Sequence, residues 1–350
     1  MMNAHLKVND FDLSRPVAES VESFLRDLAE PTLIRVPGRQ SSRCRMVVTL
    51  LHGNEPSGVI AIHRYLRDRI QRDGYRPRTD LCFFVAGVQN ALVPPLFSQR
   101  QKAGDRDLNR CFLSPHGDGP GEIAAQILDC IAKLKPEAVI DIHNTSGAGP
   151  AFSVCSRFNR RHLALTELFT HRMVVTDLVL GALIDMTRED MPVVTIECGG
   201  SEAEEAHEIA YRGLERVGDQ VDLFEIRSGT DVDLYIHPVR LELVPGTRIC
   251  YGHENSADCD LVLPPDIDRR NFGMVTPDIM LAWVNNPGCL RLKSAAGYSA
   301  IDDYFRIRNG RLYSAHPLKL FMVTTRPAIA LSDCLLYAVK ELDHSHLVEQ

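Results

Sequence analysis

The stretch MVVTLLHGNEPSG, Met46–Gly58, decides how the rest of the chain is read. Its first half is an apolar, β-branched run, which reads as a buried strand. It breaks into Gly, Asn, Pro and Gly, which punctuate a turn. His52 and Glu55 sit three apart in that turn, at the mouth of the strand. Two readings compete: ordinary loop residues, or two ligands of one metal ion.

Outward from this point the chain alternates. VIAIHRYLRDRI has helical spacing, LCFFVAGV (Leu81–Val88) reads as a second strand, and EIAAQILDCIAKL (Glu122–Leu134) as a helix. AVIDIH (Ala138–His143) and PVVTIE (Pro192–Glu197) are further strands, and SEAEEAHEIAYRGLERV is an acidic helix. Strands interleaved with helices predict a layered α/β domain with a mainly parallel mixed sheet over residues 43–220. Residues 1–42 read as a lead-in in which ESFLRDLAE is a short helix. From residue 221 to 350 short strand candidates such as VRLELV, CDLVL, IMLAWV and LKLFMVTT are separated by Gly, Pro, Asn and Asp, which predicts a smaller β-rich domain.

The chain has 350 residues, enough for a large domain or two smaller ones, and its formal net charge of -7 argues against nucleic acid or an anionic membrane as partner. An anionic substrate therefore needs locally placed arginines. No apolar run reaches membrane-spanning length, and the start lacks the pattern of a secretory signal, so a cytoplasmic location is expected. The ten cysteines form no CxxC pair and read as reduced, buried thiols.

In open α/β sheets functional residues gather at the carboxyl ends of strands. Here four such ends carry reactive groups: His52 with Glu55, then His143 with Asp141 two residues before it, then Glu197, and the segment that continues to DRDLNRCF with Arg106, Asp107, Asn109 and Arg110. His52, Glu55 and His143 make a two-His, one-Glu donor set that leaves one coordination position open, as catalytic zinc sites do. Asp141 would be buried support or would orient a ligand histidine from behind. Taken singly, Glu197 reads equally as a strand end and DLNR as a salt-bridged turn.

HGNE, DLNR, DIHN and a strand-borne IE followed by glycine, in this order, resemble the succinylglutamate desuccinylase and aspartoacylase family, which belongs with the zinc carboxypeptidases. The resemblance covers about residues 46–200, and the β-rich tail fits that family's smaller C-terminal domain. It implies one zinc per chain on His52, Glu55 and His143, with Glu197 as the general base. It implies that Asn109 and Arg110 grip the substrate's α-carboxylate and that Arg188, in MTRED, meets a second carboxylate. Arg100 is the choice for the arginine that polarises the scissile carbonyl, with Lys102 and Arg106 as alternatives, and Tyr304, Tyr313 and Tyr337 are candidates for a tyrosine lining the site. The expected activity is hydrolysis of the amide of an N-acyl amino acid, with a homodimer plausible from the relatives. A carboxypeptidase acting on short peptides, and a metal-binding protein without turnover, are the competing readings.

Overall fold

The computed structural model describes residues 7–10, 15–114, 117–226 and 231–340. The chain divides into two compact units. The first contains residues 1–144, 151–173 and 179–233, and the second contains 145–150, 174–178 and 234–350. The division is not a single cut near residue 220: two short internal segments belong with the C-terminal part.

The first unit is a layered α/β domain. Its elements are β1 (Lys7–Asp10), α1 (Val21–Leu28), β2 (Thr32–Val36), β3 (Gln40–Thr49), α2 (Ser57–Arg64), β4 (Thr79–Val85), α3 (Val88–Ala91), α4 (Gly119–Leu134), β5 (Val139–Thr145), β6 (Phe152–Cys155), α5 (Arg160–Glu167), β7 (Arg172–Val175), β8 (Val193–Gly200) and α6 (Glu204–Asp219). The strands lie in the order β1-β2-β4-β3-β5-β8-β6-β7. β3 runs parallel to both β4 and β5, while β2 is antiparallel to β4 and β6 to β8, so the sheet is mixed. The described part of residues 1–42 is more than a lead-in, because β1 and β2 extend this sheet.

Burial on both faces explains the apolar runs. Met46 and Val48 pack in one cluster with Ala124, Ile127 and Ile131 of α4. On the other face Thr49 meets Gly58 of α2, and the Phe83 ring of β4 stands 6.1 Å from Tyr65. Helix α2 continues through a π-helical segment, Tyr65–Arg72, and packs along α6. Phe83 and Phe84 are fully buried, and each such side chain contributes roughly 1.5–3 kcal/mol by leaving water. Helix ends are capped where the sequence supplies the side chain: Ser20 accepts from Ser23 N, and Asp118 from Gly121 N.

The second unit is almost all β. One sheet orders Met274–Val275, Leu318–Phe321, Leu336–Lys340, Val239–Leu243, Leu290–Ser294 and Gly297–Ser299; the other orders Ile249–Tyr251, Leu261–Leu263, Met280–Val284, Arg311–Ser314 and Phe305–Arg308. Its core includes Leu241, Leu281, Leu292, Phe305, Leu320 and Leu336. The expectation of reduced cysteines throughout is corrected here, since Cys250 and Cys259 are disulfide-bonded; the other eight are buried thiols. Strand pairing of Ile249–Tyr251 with Leu261–Leu263 brings these two cysteines together, which spacing alone does not reveal. No helix among the described residues is long and apolar enough to cross a membrane.

Candidate metal centre

The carboxyl end of β3 turns sharply. Leu50 takes a left-handed backbone conformation at φ 56°, uncommon outside glycine, and its carbonyl accepts from Gly87 N at 2.7 Å. The next residues are pressed against the neighbouring segment. A Cβ on Gly53 would stand 2.6 Å from both Asn90 Cβ and Gln99 O, so only glycine fits. Gly53 N donates to Arg100 O at 2.8 Å, which ties the loop after β3 to the segment carrying Arg100. Behind the loop, Gly58 lets α2 sit directly on Thr49, where any Cβ would fall 2.1 Å from Thr49 Oγ1.

This loop aims His52 and Glu55 at His143 from the end of β5. One donor atom from each lies within 4.8 Å of the others, and all three residues are buried. Glu55 is the hub. Its Oε2 meets His143 Nδ1 at 2.6 Å, and its Oε1 lies 2.8 Å from His52 Nδ1. That second contact is a close ion-pair approach without the alignment of a hydrogen bond, so the buried His52 Nδ1 has no hydrogen-bond partner among the described residues. Each imidazole turns its other nitrogen onto a carboxylate: His52 Nε2 to Asp107 at 2.8 Å and His143 Nε2 to Asp141 at 2.7 Å. Carboxylate-backed imidazoles facing one carboxylate are the arrangement that divalent metal sites use to fix ring orientation and raise ligand basicity. The donor set fits a divalent ion, and His52, Glu55 and His143 could hold one.

The electrostatics agree with that fit. Burial pushes the Glu55 carboxyl up, but the facing His52 and His143 outweigh it and hold the group well below the usual carboxylate range. Burial pulls His143 down, yet Asp141 and Glu55 prevail and the ring is held well above its ordinary value. Burial and the Arg100 charge lower His52, and Glu55 with Asp107 reverse them to a net rise. The carboxylates thus draw positive charge to the point where the donors converge, as a bound cation would supply it.

Around this centre the remaining expected residues fall in different places. Glu197, on β8, is buried with Oε2 unpaired among the described residues, and burial pushes its carboxyl up to about 7. Arg100 reaches the centre, donating from Nη1 to Glu55 Oε1 and from Nη2 to Asp107 Oδ2, both at 3.0 Å. Lys102 is exposed, and Arg106 is bound to Asp118 at the start of α4. Asn109 is buried and accepts from Leu183 N at 3.0 Å, while Arg110 Nη1 donates to Asn109 O at 2.8 Å. Arg188 is 55% exposed and pairs with Asp190 at 3.3 Å. Of the tyrosines, Tyr304 stacks under Lys340, Tyr313 under Arg308 and Tyr337 under Arg240, all within the second unit. Sequence reasoning names Asp107 without giving it a role and does not single out Asn144. Asp107 sits inside DLNR and Asn144 closes DIHN, so the motifs contained them, but their partners are remote in sequence.

The layered α/β unit with a β-rich second unit is the architecture of solved succinylglutamate desuccinylase and aspartoacylase structures. A succinylglutamate desuccinylase from Vibrio parahaemolyticus matches with a TM-score of 0.62 at 11% identity, over 94% of this chain and 97% of that one. One from Vibrio cholerae matches at 0.53 and 13% identity, covering 85% and 98%. A mutant form of murine aminoacylase 3 matches at 0.51 and 13% identity, covering 87% and 96%. At these identities the likeness establishes the fold. No protein-family model and no curated protein matches the sequence.

Proposed function

We propose that this protein is a zinc-dependent hydrolase that cleaves the amide bond of an N-acyl amino acid. The observation that carries the reading is the convergence of His52, Glu55 and His143 in the same unit as Glu197, a buried carboxyl whose Oε2 has no partner among the described residues. Metal binding alone has no use for such a group; general base catalysis does. His52, Glu55 and His143 would hold the ion, with Asp107 and Asp141 fixing the two rings. When bound, zinc supplies Lewis acidity that polarises a carbonyl and acidifies water. Glu197, a buried carboxyl with Oε2 lacking a partner among the described residues, would take a proton from the attacking water and return it to the leaving amine. Arg100 is held by two carboxylates at the edge of the donor set and would stabilise charge on the carbonyl oxygen. Asn109 and Arg110 would bind the α-carboxylate. Arg188 would bind a second carboxylate only by exchanging Asp190 for substrate.

The test is a panel of N-acyl acidic amino acids, their neutral counterparts and dipeptides, assayed with zinc-loaded protein. N-acyl amino acids should yield equimolar acid and amino acid. Faster cleavage of dipeptides would make the protein a carboxypeptidase, and no turnover on any substrate would leave it a metal-binding protein. In the same panel, Arg188→Ala should penalise the acidic substrates selectively; an equal effect on acidic and neutral substrates would remove Arg188 from the site.

A further inference from the structure

Asn144 follows His143 at the end of β5 and is buried. Its Oδ1 accepts from Ser57 N at 2.9 Å, and its Nδ2 donates to Ser57 Oγ at 2.7 Å and to Gly199 O at 2.9 Å. Its backbone N donates to Glu55 Oε2 at 3.3 Å. Ser57 Oγ is also 2.8 Å from His207 Nδ1 on α6. One amide therefore joins three parts of the centre. Ser57 begins α2 two residues after Glu55, Asn144 adjoins His143, and Gly199 lies two residues after Glu197.

The chemistry of this junction is specific to an amide. It requires an acceptor toward Ser57 N and donors toward Ser57 Oγ and the Gly199 carbonyl. An aspartate would bring acceptors only, and an alanine would leave buried groups unpaired. We infer that Asn144 is a positioning residue, which holds the loop bearing His52 and Glu55 in register with the strand ends bearing His143 and Glu197. It touches no substrate in this role. It acts by fixing Glu55, through Ser57 and its own backbone N–H, at the distance from His143 that one ion requires. This rests on the metal site proposed above.

The experiment measures zinc affinity by chelator competition at fixed pH, together with the visible absorption of the cobalt-loaded protein. Wild type is compared with Asn144→Ala, Asn144→Asp and Ser57→Ala, and with Leu214→Ala, a buried α6 change that should lower thermal stability without altering the affinity. Both Asn144 variants should bind zinc about 10–100-fold more weakly and show an altered cobalt spectrum. Ser57→Ala retains the bonds from Ser57 N and to Gly199 O, so its loss should be smaller. Folded Asn144 variants with affinity within twofold of wild type would overturn the inference. Should both fail to fold, Ser57→Ala decides: weakened zinc binding supports the role and unchanged binding overturns it. A wild-type chain that takes up no divalent ion overturns the metal reading and this inference together, whereas uptake by wild type with unchanged variants overturns this inference alone.

Discussion

Asp107 serves several residues at once: Oδ1 meets His52 Nε2 and also accepts from Asn109 N, while Oδ2 meets Arg100 Nη2. Burial alone would raise this carboxyl, but His52 and Arg100 outweigh it and hold it far below the usual range. Each residue at the centre should then fail in its own way. If His52, Glu55 and His143 hold zinc as proposed, His52→Ala and His143→Ala should each lose most of it, because a three-ligand site cannot spare one. Glu197→Gln should keep the zinc and the fold and lose about 10²–10⁴-fold in turnover. Elemental analysis beside kinetics separates the two classes, and a Glu197→Gln protein as metal-free as the histidine variants would make Glu197 a ligand. Arg100→Ala should cost about 10²–10³-fold in kcat, the usual worth of one oxyanion donor. Arg106→Ala should leave kcat within a few fold, since its pair with Asp118 is solvent-exposed at the start of α4 and such pairs contribute little. The reverse ranking would show that the carbonyl is polarised by Arg106.

Helix α5 carries an acid-sensitive contact of a different kind. His162 is buried, with Nδ1 2.9 Å from Asn159 Oδ1 at the helix N-cap and Nε2 2.9 Å from Thr187 Oγ1. Burial, with help from Arg157, lowers its pKa from 6.5 to about 4. The folded state therefore favours the neutral ring. Its contribution is fully present above pH 6.5 and is lost as pH falls through about 4, a swing of about 3 kcal/mol at most. Urea unfolding of wild type and His162→Gln should show a stability difference that shrinks across this window. A difference independent of pH would mean that the ring titrates normally. At this scale the sequence is informative where periodicity is long. β3, β4, β5, β8, α2, α4 and α6 follow from apolar runs and helical spacing, and with them the gathering of His52, Glu55 and His143 at strand ends. What stayed hidden depends on pairing across the chain. β1 and β2 are short strands recruited to an existing edge, and Cys250 finds Cys259 only through a strand register. That Arg100 reaches Glu55, while Arg106 turns to Asp118, goes with the close approach of Gly53 to the Gln99–Arg100 backbone.

Each of the two units has its own buried core, so each should answer to ligands by itself. An ion that binds the folded first unit stabilises it by mass action, about 4 kcal/mol at a thousandfold excess over Kd. Calorimetry with zinc and then with chelator should move one of two unfolding transitions and leave the other in place. One transition shifting as a whole would show that the units unfold together.

The interleaved chain also has a consequence for biosynthesis. Residues 145–150 start at the last residue of the strand bearing His143, yet Gly147 is pressed against Val323 O and Ala148 O accepts from Asn271 Nδ2, all within the second unit. A chain still emerging from the ribosome has made His52, Glu55, His143 and Glu197 well before Asn271 and Val323 exist. The strand ends can gather early, but the segment after His143 must wait for its partners. Nascent chains arrested near residue 233 should therefore remain open to protease at residues 145–150 and become resistant only after the C-terminal unit is released.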